Sequence, residues 1–375
     1  MNAKDQAEAA DVAVQPFEAI AISRLAHALK AEGRSIIHME FGQPSAGAPK
    51  AAIAAAHRIL DTDGMGYWES APLKARLARH YRETYGLGVD PERFVLTCGA
   101  SPALVLALLC NFAPGARIAF ARPGYVAYRN TVRALHMTPV ELACGAESRF
   151  QLTAAALAAL DPAPDGVILA SPANPTGTII APEALAKIAE LCRERNIRII
   201  SDEIYHGLSY GLPTPSALQF APDALVLGSF SKYFAMAGWR LGWLLAPLGD
   251  AARARTYIGN LFLTPPYLSQ HAALAAFDSR EELEEHVAAY ARNRQRLLAV
   301  LPQWGLRGIA PPDGAFYVYA DVGHLTDDSP VFCRTILQDT GVALAPGVDF
   351  DPVDGRRFIR FSFAVSNAEI DEAVA

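Results

Sequence analysis

The sequence predicts an α/β fold: a larger domain built on a doubly wound sheet, with a smaller α+β domain beside it. Three observations carry this. Apolar runs of strand length alternate with helix-length patterns through the middle of the chain. Each run stops abruptly at small or polar residues, as strands do when they reach the rim of a buried sheet. After a Thr264-Pro265-Pro266 break the pattern changes to long helices followed by alternating strands. At 375 residues the chain exceeds what one small core organises. Residues 45–278 are expected to form the larger domain, and 1–44 with 279–375 the smaller.

The strand candidates in order are RFVLTCGAS from Arg93, ARIAFARPGY from Ala116, DGVILASPANPTG from Asp165, NIRIISDEIYHG from Asn196 and ALVLGSFSK from Ala224. Between them lie helical patterns, SPALVLALLCNF and APEALAKIAELCRERN. The second carries Leu185, Ile188 and Cys192 at helical spacing with Pro182 in its first turn. Beyond the proline break come a helix near Ser269 to Phe277 and a long one from about Arg280 to Val300. Its ARNRQRLL segment follows the acidic REELEEH and reads as a solvated face. GAFYVYADV and RRFIRFSFAV alternate as half-covered strands should, and SNAE at Ser366 has the spacing of a capping box.

Composition narrows the function classes. The formal net charge is -6, and no basic stripe is present to bind nucleic acid. The five cysteines, Cys98, Cys110, Cys144, Cys192 and Cys333, are scattered and include no C-x-x-C pair, which fits reduced thiols in a cytoplasmic protein. MNAKDQAEAADVAVQ has charges where a leader needs an apolar core, and no apolar run approaches the roughly 20 residues of a membrane span. H-E-x-x-H, EF-hand and Walker patterns are absent, so no metal site is expected.

In doubly wound sheets ligands gather outside the carboxyl ends of the strands. That rim collects Gly99, Ala100 and Ser101 after one strand, Tyr125 after the next, then Asn174, then Asp202 and Tyr205, and finally Ser229 and Lys232. Singly each has a plain explanation as a turn or cap residue. Together they describe one site. A desolvated lysine near another cation becomes a neutral amine able to attack a carbonyl, and Arg240 could be that cation. Asp202 suits a pyridinium nitrogen, Tyr205 and Asn174 suit a phenolate oxygen, and the helix start at Gly99 to Ser101, with Ser229, suits a phosphate. This set of demands belongs to pyridoxal 5'-phosphate.

SPANPTG, SDEIYHGLSY, SFSKYFAMAGWRLGW and FIRFSFA, in that order, resemble the fold-type I pyridoxal-phosphate enzymes of the class I/II aminotransferase family, and the resemblance spans nearly the whole chain. It implies a mixed sheet in the larger domain and an enzyme that moves an amino group between an L-amino acid and a 2-oxo acid in a ping-pong cycle. It also implies roles. Lys232 matches the lysine that bonds the cofactor and then moves the proton; Asp202 matches the acid at the pyridine nitrogen. Tyr205 and Asn174 match the partners of the phenolic oxygen, and Tyr125 the ring stacked on the cofactor. Ser229 and Arg240, with Ala100 and Ser101, match the phosphate ligands. Arg360 matches the arginine that grips the substrate carboxylate, and Gly42 a glycine near the substrate. Tyr67 matches a tyrosine that reaches the neighbouring subunit's phosphate, which implies a homodimer.

Two departures stand out. YWESAPLK runs from Tyr67 to Leu73-Lys74 without the extra residues and glycine usual in the family, so cofactor binding by Tyr67 is expected to weaken. Ser101 is followed by Pro102 where one aspartate-specific subgroup has a lysine, so a neutral or aromatic amino acid is expected instead of aspartate. Three alternatives compete. The same residues could serve a carbon–sulfur β-lyase. SFSK is also an S-x-x-K match with Ser229 as nucleophile, although SDE at Ser201 and PTG at Pro175 are inadequate partners for an acyl-enzyme. A non-catalytic sensor would carry a DNA-binding domain, for which the residues before Val14 are too few.

Overall fold

In this computed structural model, which describes Val14 and residues 16–375, apolar segments alternate between two faces of one central sheet. The strands in chain order are β1 (Ile37–His38), β2 (Phe94–Thr97), β3 (Arg117–Arg122), β4 (Thr138–Ala143), β5 (Gly166–Ala170) and β6 (Arg198–Asp202). They continue with β7 (Leu225–Ser229), β8 (Gly242–Leu245), β9 (Tyr317–Asp321), β10 (Val342–Ala343), β11 (Ala345–Pro346) and β12 (Phe358–Ser362). The central sheet has seven strands in the order β2-β8-β7-β6-β5-β3-β4. Strand β8 runs antiparallel to both neighbours and the other pairings are parallel, so the sheet is mixed. The N-terminal stretch read above for its lack of a leader falls largely outside the described residues.

Side-chain alternation explains why both faces are covered. Leu96, Val167, Ile199 and Val226 point to one side, against the helices Ala71–Tyr85, Pro182–Glu194 and Tyr267–Ala276. Val95, Ile168, Ile200 and Leu227 point to the other, against Ala100–Asn111, Val126–Ala134 and Leu248–Leu261. Burying a strand on both faces removes the polar alternation, which is why these segments read as continuous apolar runs.

All five strand candidates form, as β2, β3, β5, β6 and β7. The sequence reading omitted β4 and β8. Strand β4 lies at the sheet edge, is only half-buried and carries Pro139 and Glu141, which blunt its strand character. Strand β8 is four residues long and begins within the Trp-Arg-Leu-Gly-Trp segment, which carries no separate strand-length apolar run.

A third core joins the helices Glu18–Ala31, Arg280–Val300 and Ser329–Thr340 to a small antiparallel sheet in the order β11-β12-β9. Strand β1 pairs in parallel with β10, tying the N-terminal segment to the end of the chain. The Ser366 capping box forms as expected: its hydroxyl accepts from the Glu369 amide, and the Glu369 carboxylate accepts from the Ser366 amide. The five cysteines are free.

Candidate active site

A cavity of about 420 Å³ opens at the carboxyl ends of β5, β6 and β7. Of the residues expected at the site, Gly42, Ala100, Ser101, Tyr125, Asn174, Asp202, Tyr205, Ser229, Lys232, Arg240 and Arg360 all line it. Tyr67 does not; it is 83% exposed.

One corner is built to receive an anion. The helix Ala100–Asn111 opens on the cavity with no side chain capping its first turn, because Gly99 stands at the cap position. Its first N–H groups therefore have no partner from a cap, and the helix dipole adds positive potential there. Gly99 is required twice over. Its φ of +96° is one that a side chain resists, and an added Cβ would lie 2.5 Å from the Arg240 guanidinium. Arg240 is held in place by the carbonyls of Ala237 (3.0 Å) and Cys98 (3.4 Å). The Ser229 hydroxyl accepts from the Ser231 amide at 3.0 Å. It remains free to donate into the corner.

Lys232 lines the cavity instead of reaching into solvent. Its ammonium donates to the Gly42 carbonyl and lies 5.6 Å from the centre of the Tyr205 ring. Burial pushes its pKa down to about 8, assisted by the positive charges of Arg360 and Arg240 and opposed by Asp202. Near pH 8 about half of such an amine is neutral and nucleophilic. Asp202 is buried at the end of β6, where it accepts 2.5 Å from the Tyr128 hydroxyl and 3.3 Å from the Ile204 amide. Burial pushes its carboxyl up to about 6 despite those hydrogen bonds and the lysine. The carboxylate is thus short of positive charge.

Tyr205 and Tyr317 share a hydrogen bond of 2.6 Å between their hydroxyls. Gly42 permits this, since a Cβ there would fall 1.7 Å from the Tyr317 oxygen. Arg360 is 2% exposed on β12, sandwiched between the rings of Tyr317 (4.4 Å) and Phe350 (4.7 Å). It donates to the Asn174 side-chain oxygen at 2.8 Å and to the Glu40 carbonyl, while its Nε has no partner. Fixing the Asn174 oxygen leaves that residue's amide nitrogen as its donor.

Tyr128, Tyr317, Ser231, Phe17 and Phe41 also line the cavity and were not singled out from the sequence. Tyr128 lies three residues beyond Tyr125, a spacing that puts both on one side of a helical turn and could have revealed it. Nothing local marks Phe17 or Tyr317.

The family model for class I and II aminotransferases matches residues 34–375. The chain is 47% identical over 346 residues to a valine–pyruvate aminotransferase of Mycobacterium tuberculosis, covering 90% of this chain and 89% of that protein. A crystal structure of an aminotransferase from Mycobacterium tuberculosis superposes with a TM-score of 0.94 at 46% identity, covering 96% of this chain and 95% of that one. Aspartate aminotransferase from Thermus thermophilus with maleate gives a TM-score of 0.91 at 29% identity, covering 100% and 97%.

Proposed function

Because the chain belongs to the class I and II aminotransferase family and so is an enzyme of pyridoxal-phosphate-dependent amino transfer, we propose that its amino donor is a neutral aliphatic L-amino acid such as valine and its acceptor a small 2-oxo acid such as pyruvate. The observation that carries this reading is the charge inventory of the cavity. Lys232, Arg240 and Arg360 are its only cations among the described residues. Two are assigned below to cofactor contacts and the third to the α-carboxylate, which leaves no cation for a second carboxylate. Phe17 and Phe41 supply apolar wall instead. The valine–pyruvate relative supports the same choice.

The residues fit the cofactor. The uncapped helix start at Ala100 and Ser101, with Ser229 and Arg240, suits its phosphate. Asp202, a buried carboxylate short of positive charge, suits its pyridine nitrogen; Tyr205 and the Asn174 amide suit its phenolic oxygen, and Tyr125 its ring face. When bound, pyridoxal 5'-phosphate supplies a carbonyl carbon for the transferred nitrogen and a ring that withdraws electrons from the substrate α-carbon.

The protein supplies the rest. Asp202 keeps a proton on the pyridine nitrogen, strengthening that withdrawal. Lys232, half-neutral near pH 8, holds the cofactor and then carries a proton to or from the substrate α-carbon as general base and acid. Arg360, pinned by Asn174 and Glu40, receives the α-carboxylate and sets which substrate bond faces the lysine. Donor and acceptor take turns in one cavity, hence double-displacement kinetics.

Residues 45–278 serve as the cofactor domain in this reading, with 1–44 and 279–375 as the smaller one. Tyr67 reaches the neighbouring subunit's phosphate in a homodimer, supported by its exposure alongside the exposed Met65, Leu261 and Leu263. Free cysteines and the absence, among the described residues, of any helix long and apolar enough to cross a membrane support a cytoplasmic location.

The test is a screen of amino donors against pyruvate and 2-oxoglutarate. Valine and similar aliphatic donors should lead with pyruvate; a clear preference for aspartate would overturn the substrate assignment, and release of ammonia and pyruvate would favour the β-lyase. Arg360→Lys should raise KM for both substrates roughly 30-fold or more, because an ammonium cannot replace the paired guanidinium contacts. An unchanged KM in steady-state assays would remove Arg360 from carboxylate binding.

A further inference from the structure

The first turn of the helix Glu18–Ala31 gets its cap from the far end of the chain. Phe17, at the cap position, has no acceptor to offer. Asp349 stands in for it: one carboxylate oxygen accepts from the Glu18 amide at 2.8 Å and the other from the Ala19 amide at 2.9 Å. The carboxyl is 3% exposed, so it has exchanged water for these two N–H groups. Phe17, immediately before that turn, lines the active-site cavity.

The same residue bears on Arg360. Asp349 precedes Phe350, whose ring supports the Arg360 guanidinium. Burial raises the Asp349 carboxyl to about 6, while its two amide contacts and the positive charge of Arg360 act against that rise. The Phe350 carbonyl also accepts from the Gly124 amide at 3.0 Å, next to Tyr125. Phe17 and Phe41 pack against the small apolar cluster that contains Phe350. One short turn thus touches the apolar wall, the arginine and the start of the Tyr125 helix.

We propose that Asp349 is a positioning residue for substrate binding, fixing Phe17 as the roof of the substrate space relative to Arg360 as its carboxylate anchor. It touches no reacting atom and acts through these two side chains. The proposal rests on the reading of Arg360 given above.

The test uses the holoenzyme with valine and pyruvate. Asp349→Asn removes the charge, and Glu18→Pro removes one of the two amide donors at a helix position that tolerates proline; the second variant keeps the question open to test if the first folds poorly. Each should raise KM for both substrates about tenfold with kcat changed less than about threefold. Each should also speed hydrogen exchange at amides 19–23 about tenfold, with the cofactor's absorption spectrum unchanged. Phe17→Ala should raise KM similarly, and combining it with Asp349→Asn should add little, since both remove the same roof. Faster exchange without a change in KM would mean a purely structural cap and overturn the proposal. A fully additive double variant would overturn it too. These failures are distinct from that of the Arg360 assignment, which Arg360→Lys decides.

Discussion

Replacement of Lys232 by alanine is expected to lower kcat/KM for transamination by at least about 10⁴-fold, because one side chain provides both the attachment of the cofactor and the proton transfer. No other amine can substitute within the cavity: the remaining cations lining it are guanidinium groups, which do not lose a proton in proteins. Borohydride treatment followed by mass mapping gives a second readout. The wild-type protein should carry the reduced cofactor on Lys232, and the variant should carry none at this position. A label on any other lysine would contradict the assignment. An added primary amine should restore a small part of the activity, since the cavity around Lys232 is open enough to hold one.

Asp202→Asn should produce opposite effects on activity and stability. Activity should fall by about 10²- to 10³-fold, the cost of leaving a cationic ring nitrogen without its buried anion. Stability of the cofactor-free protein should move the other way. The folded-state pKa of Asp202, about 6, lies above the ordinary 3.8. Between those values the folded chain retains a proton that the unfolded chain has released, so this residue's contribution to stability falls as pH rises through the window. Near pH 8 the cofactor-free variant should therefore resist urea better than the cofactor-free wild type by about 3 kcal/mol, with the gap closing below pH 4. Equal unfolding curves at pH 8 would show that the carboxylate bears no such cost. The residue is then one that chemistry demands and folding alone would disfavour.

Much of this site was legible in the sequence for a simple physical reason. Parallel strands buried on both faces are apolar along their length, and the polar residues that appear at their ends are conspicuous against that background. Asn174, Asp202, Ser229 and Lys232 stand out in this way. Arg360 does not, since an arginine on a short alternating strand reads equally well as an edge charge, and its assignment drew on the family resemblance. The missing pieces depend on pairings far apart in sequence. Tyr317 joins the site through its bond to Tyr205, 112 positions away, and its contact with Arg360, and Asp349 caps a helix 330 positions before it. Strand β8, which makes the sheet mixed, escaped notice because its first residues, Gly242 and Trp243, sit inside the SFSKYFAMAGWRLGW motif and leave no separate apolar run to mark it.

The antiparallel direction of β8 has a consequence for how this protein can change. The chain leaves β7 at Ser229 and re-enters the sheet at Gly242, with Ser229 and Gly242 directly opposed in the ladder. Residues 230–241 therefore form an excursion that departs and returns at the same rim, and both Lys232 and Arg240 ride on it. A parallel connection would have carried the chain across a face of the sheet and back to its other end. Here a single pair of strands sets the span between the amine and the guanidinium, much as a frame sets the gap between two jaws. Length changes elsewhere on the rim alter what surrounds the substrate; a residue inserted between these strands alters the gauge of the tool itself.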